Sequence, residues 1–297
     1  MRYTILRRGT GLRAAVLATL VFAAFGGERG LAQEKIDRRL ALDPDAYVKV
    51  FTLAGEVVVE GWDRDSIAVS GSVERGRFDM GAAGSSAKMF VSPDDEADPG
   101  AARLTVRLPR RATVWVKTQS ASVDVRGVSG TVDVYSVTGD VRVSGELRQL
   151  YAESMGGDID IEVVAGSVRA KNAGGSIIFT GEARDLSLAT VSGGISVMAP
   201  PVDRGRFETV TGDIEFDGGV SRGGSIGFLT HSGAVRLRLS PGLSAGLSVS
   251  TIEGSILNEL SPRQPTRGNT LVFDVGDGGS DITVESFSGT VLLAGGS

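Results

Sequence analysis

Beyond residue 45 the chain alternates apolar and polar positions in short runs, each closed by a cluster of turn residues. Val141 and Val143, Ile159 and Ile161, Ile195 and Val197, and Ile214 and Phe216 each flank one polar position, and Ile177 and Phe179 fall in the equivalent place. Period-two alternation is the mark of a strand with one buried face. The stretch YSVTGDVRV (135–143) adds Thr-Gly-Asp turn chemistry between two such runs.

That turn recurs. Aligned on its glycine, the chain reads FTLAGEVVV at Gly55, KTQSASVDV at Ala121, YSVTGDVRV at Gly139, ESMGGDIDI at Gly157 and KNAGGSIIF at Gly175. It goes on with ATVSGGISV at Gly193, ETVTGDIEF at Gly212, LTHSGAVRL at Gly233, STIEGSILN at Gly254 and ESFSGTVLL at Gly289. From Ala121 the spacings are 18, 18, 18, 18, 19, 21, 21 and 35, and a repeat of this size marks a solenoid. A fainter strand lies half a period away, at GTVDV (Gly130), RQLYA (Arg148), GSVRA (Gly166) and RDLSL (Arg184). Each unit therefore holds two short strands, too little chain for crossover helices. The pattern predicts an all-β fold, a single-stranded β-helix of about nine or ten coils that pair in parallel, with 18–21 residues per coil. At about 4.8 Å per coil the rod would be roughly 45 Å long. The rival arrangement is an antiparallel β-sandwich, which also places turns every eight to twelve residues or so. Repetition of the same residue at each turn favours stacking.

Composition agrees with an all-β chain. The 42 glycines in 297 residues are about twice the ordinary rate of ~7%, and no sustained helical spacing follows residue 32. The first 32 residues carry Arg2, Arg7, Arg8 and Arg13, an apolar run over 14–25, and small residues Gly30 and Ala32. This is the layout of a cleaved export signal, and the apolar run is shorter than the roughly 20 residues of a membrane-spanning helix. The expected location is therefore the periplasm or the cell surface. With no cysteine, disulfides, lipid-modified cysteine and thiol chemistry are excluded. Without residues 1–32, which hold five Lys/Arg and one acid, the chain has 26 basic and 35 acidic side chains, a formal charge of −9. Nucleic acid is not an expected partner for such a surface.

Three segments carry a resemblance: YVKVFTLAGEVVVEGWDRDSIAVSGSV (47–73), LTVRLPRRATVWVKTQSASVDV (104–125) and the serial Thr/Ser-x-x-Gly strands. Together they resemble the bacterial "putative adhesin" family of domains of unknown function. That resemblance covers most of residues 45–294 and implies an exported, β-solenoid-like protein. The domain plan is a signal peptide over 1–32 and one solenoid over 33–297. Within it, 33–73 is the first coil or cap, 74–103 an irregular insertion, 104–257 the regular coils, 258–269 a second insertion and 270–297 the last coil.

The candidate chemistry is mostly architectural. A polar column stands three residues before each turn glycine: Thr52, Thr118, Ser136, Ser154, Asn172, Thr190, Thr209, Thr230, Thr251 and Ser286. It reads as a stacked ladder satisfying backbone groups freed by the turn. The turn glycines Gly55, Gly139, Gly157, Gly175, Gly193, Gly212, Gly233, Gly254 and Gly289 are expected to supply backbone angles closed to other residues. Asp124, Asp133, Asp140, Asp158, Asp160, Asp213 and Glu215 recur on strands. A polysaccharide-cleaving enzyme would use such carboxylates as acid and base, but their alternation with apolar residues places them on a solvated face. Calcium-binding β-rolls need Gly-Gly-x-Gly-x-Asp turns, and GGDIDI (156–161) lacks the third glycine. The one histidine, His231, occupies a position held elsewhere by Val137, Met155, Val191, Val210 and Ile252, so it reads as a substituted core or rim residue. Trp62 and Trp115 are expected to cover the first coil, with sugar stacking as the alternative.

No catalytic, metal or cofactor residues are expected. The leading expectation is a non-catalytic envelope scaffold that binds an envelope protein or a glycan. The alternatives are a β-helical polysaccharide-active enzyme and an envelope-stress regulatory component. The final GTVLLAGGS (289–297) follows a coil directly, which predicts end-to-end self-association through unpaired backbone.

Overall fold

Period-two alternation becomes strand along the whole chain. In the computed structural model, residues 34–95, 97–261 and 268–296 are described and contain no helix. The proposed export signal, 1–32, and positions 262–267 of the second insertion lie outside the described residues. The first part of the chain holds β1 (Glu34–Ala41), β2 (Tyr47–Thr52), β3 (Gly55–Trp62), β4 (Ser66–Val73), β5 (Arg77–Ala83), β6 (Ser86–Ser92) and β7 (Ala102–Pro109). The repeat starts with β8 (Thr113–Thr118), β9 (Ser122–Arg126), β10 (Thr131–Ser136), β11 (Val141–Ser154), β12 (Ile159–Asn172) and β13 (Ile177–Thr190). It continues with β14 (Ile195–Met198), β15 (Val202–Thr209), β16 (Ile214–Gly218), β17 (Val220–Thr230) and β18 (Val235–Leu239). Then come β19 (Ala245–Thr251), β20 (Ser255–Asn258), β21 (Thr270–Val275), β22 (Asp281–Ser286) and β23 (Thr290–Gly295).

All 23 strands belong to one mostly parallel sheet wound into a β-solenoid. Each coil has a pre-turn strand, a tight turn, and a post-turn strand. In β11 to β13 the post-turn strand bends into the next pre-turn strand without a break, helped in β11 and β13 by Gly145 and Gly181, whose φ of +114° and +132° favour glycine. Register follows the repeat: Val141 pairs with Ile159, Ile159 with Ile177, Ile177 with Ile195, Ile195 with Ile214, and Ile214 with Val235. These residues and the inward positions of the pre-turn strands form one core. The core widens around Phe207, Phe216 and Phe228, whose rings lie 5.1–5.4 Å apart. Gly205 makes room there. It occupies the column of Leu186 and Ile226, and a Cβ on it would come within 3.0 Å of Ile226 and Phe207.

Three details differ from the sequence expectation. First, 74–103 is not irregular: β5 and β6 form an antiparallel hairpin, with Met89 and Val91 in the core. Its Gly, Asp and Pro residues hide the short alternation of Ala87, Met89 and Val91. Second, coils do not stack in chain order at either end. β22 and β23 lie between β17/β18 and β19/β20, and β2 and β3 lie between β8/β9 and β6/β7. Third, the outermost strands include antiparallel ones. β4 pairs with β7 and β1 with β4 at one end, and β21 pairs with β19 at the other. β23 therefore has a neighbour on both edges, and among the described residues β20 pairs on one edge only. The sorting has a physical reason. The β22/β23 rung buries Ile282, Val284, Val291 and Leu293 to 1% exposure or less and suits the interior, whereas the four-residue β20 suits an edge.

Candidate functional site

The polar column serves the turns. Every member of it is buried, and its hydrogen bonds go to its own turn or a neighbouring one. Ser136 Oγ donates to the Gly139 carbonyl (2.7 Å), Thr118 Oγ1 to the Ala121 carbonyl (3.1 Å), and Thr190 Oγ1 to the Gly193 carbonyl (2.6 Å). In the other coils the direction reverses: Ser154, Thr209, Thr230, Thr251 and Ser286 accept from the turn glycine N–H at 2.9–3.0 Å. Asn172 does both, accepting from Gly175 N–H and donating to the Gly157 carbonyl at 2.7 Å. Only Thr52 Oγ1 is buried with no partner among the described residues.

The glycines are required for a different reason than expected. Only Gly55 of the nine has a positive φ, +109°. The rest lie against the neighbouring coil, where a Cβ would fall 1.7–2.5 Å from a backbone carbonyl oxygen.

Six of the seven strand acids are engaged in structure. Asp140 accepts from the Asp158 N–H, Asp158 from the Ser176 N–H, and Asp213 from the Ala234 N–H, at 2.8–3.0 Å. On the post-turn face Arg126 pairs with Asp124 (3.3 Å), Arg142 with Asp160 (3.2 Å), and Arg236 with both Asp213 (2.9 Å) and Glu215 (3.4 Å). Glu60 is held between Arg126 (2.5 Å) and Arg107 (2.7 Å), and hydrogen bonds from these two guanidiniums lower its pKa. The hydrogen bond from Arg236 lowers that of Asp213. Both of these carboxylates are thereby held ionised at neutral pH.

His231 stands on the exposed rim of the turns, its ring stacked on Phe287 with centroids 4.7 Å apart. Val210, Leu229 and Ile252 join them around an open groove of about 450 Å³. No carboxylate is bonded to the imidazole among the described residues. Trp62 packs between Arg39 and Arg64, at 5.7 and 5.0 Å, and donates its indole N–H to the Ser66 carbonyl.

Asp133 is the exception among the acids. It points outward from the pre-turn face and has no side-chain hydrogen bond or ion pair among the described residues. Burial raises its pKa. Parallel register lines up two outward columns around it. One runs Lys88, Lys49, Trp115, Asp133, Tyr151 and Arg169, the other Phe90, Phe51, Lys117, Tyr135, Glu153 and Lys171. Six strands at about 4.8 Å make this patch roughly 24 Å long. The Trp115 and Tyr135 rings are 5.8 Å apart, and those of Tyr135 and Tyr151 5.4 Å. The Tyr151 hydroxyl donates to Glu153 at 2.5 Å, and that bond, with burial, pushes its pKa to about 12. The Trp115 indole N–H and the Tyr135 hydroxyl have no partner among the described residues. Lys49 lies over Tyr47 (5.2 Å) and Lys88 over Phe90 (5.5 Å). These two, Lys117, Arg169 and Lys171 are exposed and make no ion pair among the described residues.

Sequence reasoning singled out Trp115 and Asp133 separately and missed the patch. The available signal was the shared spacing of 18 among Trp115, Asp133, Tyr151 and Arg169. The contribution of Lys49 and Lys88 depends on the displaced order of β2 and β6 and is not visible in spacing.

A family model described as Toastrack DUF4097 matches residues 104–294. No curated protein matches the chain. Similar solved structures include a "putative lipid binding protein" from Parabacteroides distasonis, at 14% identity and a TM-score of 0.49 over 88% of this chain and 96% of that one. Another is a "putative adhesin" from Bacteroides fragilis, at 10% identity and 0.42 over 89% and 98%. A third is a "putative cell adhesion protein" from Clostridium sporogenes, at 8% identity and 0.23 over 88% and 100%.

Proposed function

This chain belongs to the Toastrack DUF4097 family, and from that premise we propose that it is a non-catalytic, exported scaffold of the cell envelope that binds a partner through its pre-turn face. One observation carries the reading: the two flat faces of the rod differ in how their polar groups are used. On the post-turn face each strand acid named above meets an arginine or a backbone N–H. On the part of the pre-turn face between β6 and β12, five cations, one carboxylate, an indole N–H and a phenol lack such partners, whereas farther along the same face Arg206 pairs with Glu208. Groups left unpaired on a rigid surface are available to a ligand at little ordering cost.

Export rests on the basic and apolar layout of residues 1–32. The test is fractionation of cells producing the full chain, followed by crosslinking in the intact envelope. Recovery in the envelope with a reproducible crosslinked partner is the expected result. Retention in the cytoplasm would overturn it. The enzymatic alternative has its own test: polysaccharide turnover by the purified protein that disappears when Asp158→Asn and Asp160→Asn are combined would replace the scaffold reading with catalysis.

A further inference from the structure

We propose that the pre-turn face binds an acidic polysaccharide, with Trp115, Tyr135 and Tyr151 contacting sugar rings and Lys49, Lys117, Arg169 and Lys171 meeting its acidic groups. The inference deepens the scaffold reading and rests on it. Three independent features converge on this class of ligand.

The first is shape. The rings sit on three successive rungs, β8, β10 and β11, with neighbouring centroids 5.4–5.8 Å apart, comparable to one sugar residue in an extended chain, and the patch is long enough for several. The rings are half-buried, so each leaves part of its apolar surface open to the apolar faces of sugars.

The second is charge. Five exposed cations gather here against two carboxylates, on a chain whose overall charge is −5. One of those carboxylates, Glu153, already accepts from Tyr151. A patch so placed is complementary to an anion. The two carboxylates and the acidic remainder of the molecule disfavour a polymer with a charge on every unit, such as nucleic acid. They tolerate a polymer whose charges are spread among neutral hydroxyls.

The third is hydrogen bonding. Asp133 is a desolvated acceptor, while the Trp115 N–H and the Tyr135 hydroxyl can donate. A ligand rich in hydroxyls can satisfy all of them, and a half-buried carboxylate without a partner is costly to keep for structure alone.

The experiment is electrophoresis of the purified protein through gels containing polygalacturonate, its methyl ester, or inorganic polyphosphate. Polygalacturonate should retard the protein, less so as salt rises, and its neutral ester should bind at least about tenfold more weakly, a loss of ~1.4 kcal/mol. Trp115→Ala and Tyr135→Ala should each weaken binding about tenfold or more. Lys117→Glu combined with Lys171→Glu should abolish it, and because both side chains are exposed this variant tests the idea without disturbing the fold. Arg142→Ala, on the opposite face, should have no effect. The proposal is overturned by absence of retardation, by equal retardation with the ester, or by polyphosphate binding that ignores the aromatic substitutions. Envelope crosslinks from this face without retardation by polygalacturonate would remove the ligand and leave the scaffold. A chain confined to the cytoplasm would remove the scaffold itself.

Discussion

A methyl group on Gly193 would lie 1.9 Å from the Gly175 carbonyl oxygen, whereas one on Gly227 would meet nothing within 4 Å. Gly193→Ala should therefore force the stacked turns apart and destabilise by at least about 2 kcal/mol. Gly227→Ala, on the outward pre-turn face, should be neutral or stabilise by up to ~1 kcal/mol. Denaturant melts of the two variants check this; equal losses would mean that close approach is not what the turn glycines serve. The polar column divides in the same way. Thr190→Val leaves the Gly193 carbonyl and Thr209 without their 2.6 and 3.0 Å partner and should cost about 1–3 kcal/mol. Thr52→Val removes a buried hydroxyl that has no partner among the described residues and should be neutral or stabilising. Asp133 makes a pH prediction. Burial raises its folded pKa, so the folded chain holds a proton that the unfolded chain has released. Stability should fall as pH rises through that window. Asp133→Asn should raise the melting temperature at pH 7, with the gain vanishing below the ordinary Asp pKa of ~3.9. A lower melting temperature at pH 7 would contradict this. The column could be read from sequence because one chemistry recurs at one spacing. The reason for the glycines could not, since the group each would strike belongs to another coil.

Strand by strand, the repeat showed what a rung looks like but not which rung lies beside which. Spacings of 18 to 21 describe neighbours correctly from β8 to β18, where the chain advances one rung per turn. The 35-residue interval before Gly289 looks like an excursion before a last coil. Instead β21 runs antiparallel along the outside of β19, and β22 returns on its inner side. Likewise, a dilute alternation in 74–103 concealed the hairpin that supplies the rung beyond β2. The absence of cysteine makes the order testable. Arg236→Cys with Leu292→Cys places thiols on directly paired residues of β18 and β23. A thiol crosslinker reaching about one strand spacing (~4.8 Å) should join them in high yield. Arg236→Cys with Leu257→Cys would be adjacent if coils stacked in chain order, and here lies two strands apart. Preferential joining of that second pair would contradict the inserted rung.

For the molecule as a whole, the proposed function assigns support to one wall of the β-solenoid and recognition to the other. The named acids of the post-turn wall and the polar column of the turns bond within the fold, whereas the β6-to-β12 part of the pre-turn wall holds several groups without such partners. The all-β class and the coil were legible because periodicity is a property of the chain alone. The proposed recognition face was not, because it is assembled from β6, β2, β8, β10, β11 and β12 in an order the chain does not follow. The most direct test of this division is site-specific photocrosslinking in intact cells, with the photoreactive residue at Lys117 on the pre-turn face or at Ser196 on the post-turn face. The account predicts a crosslinked envelope species from Lys117 and none from Ser196. Equal crosslinking from both positions, or crosslinking from Ser196 alone, would contradict it.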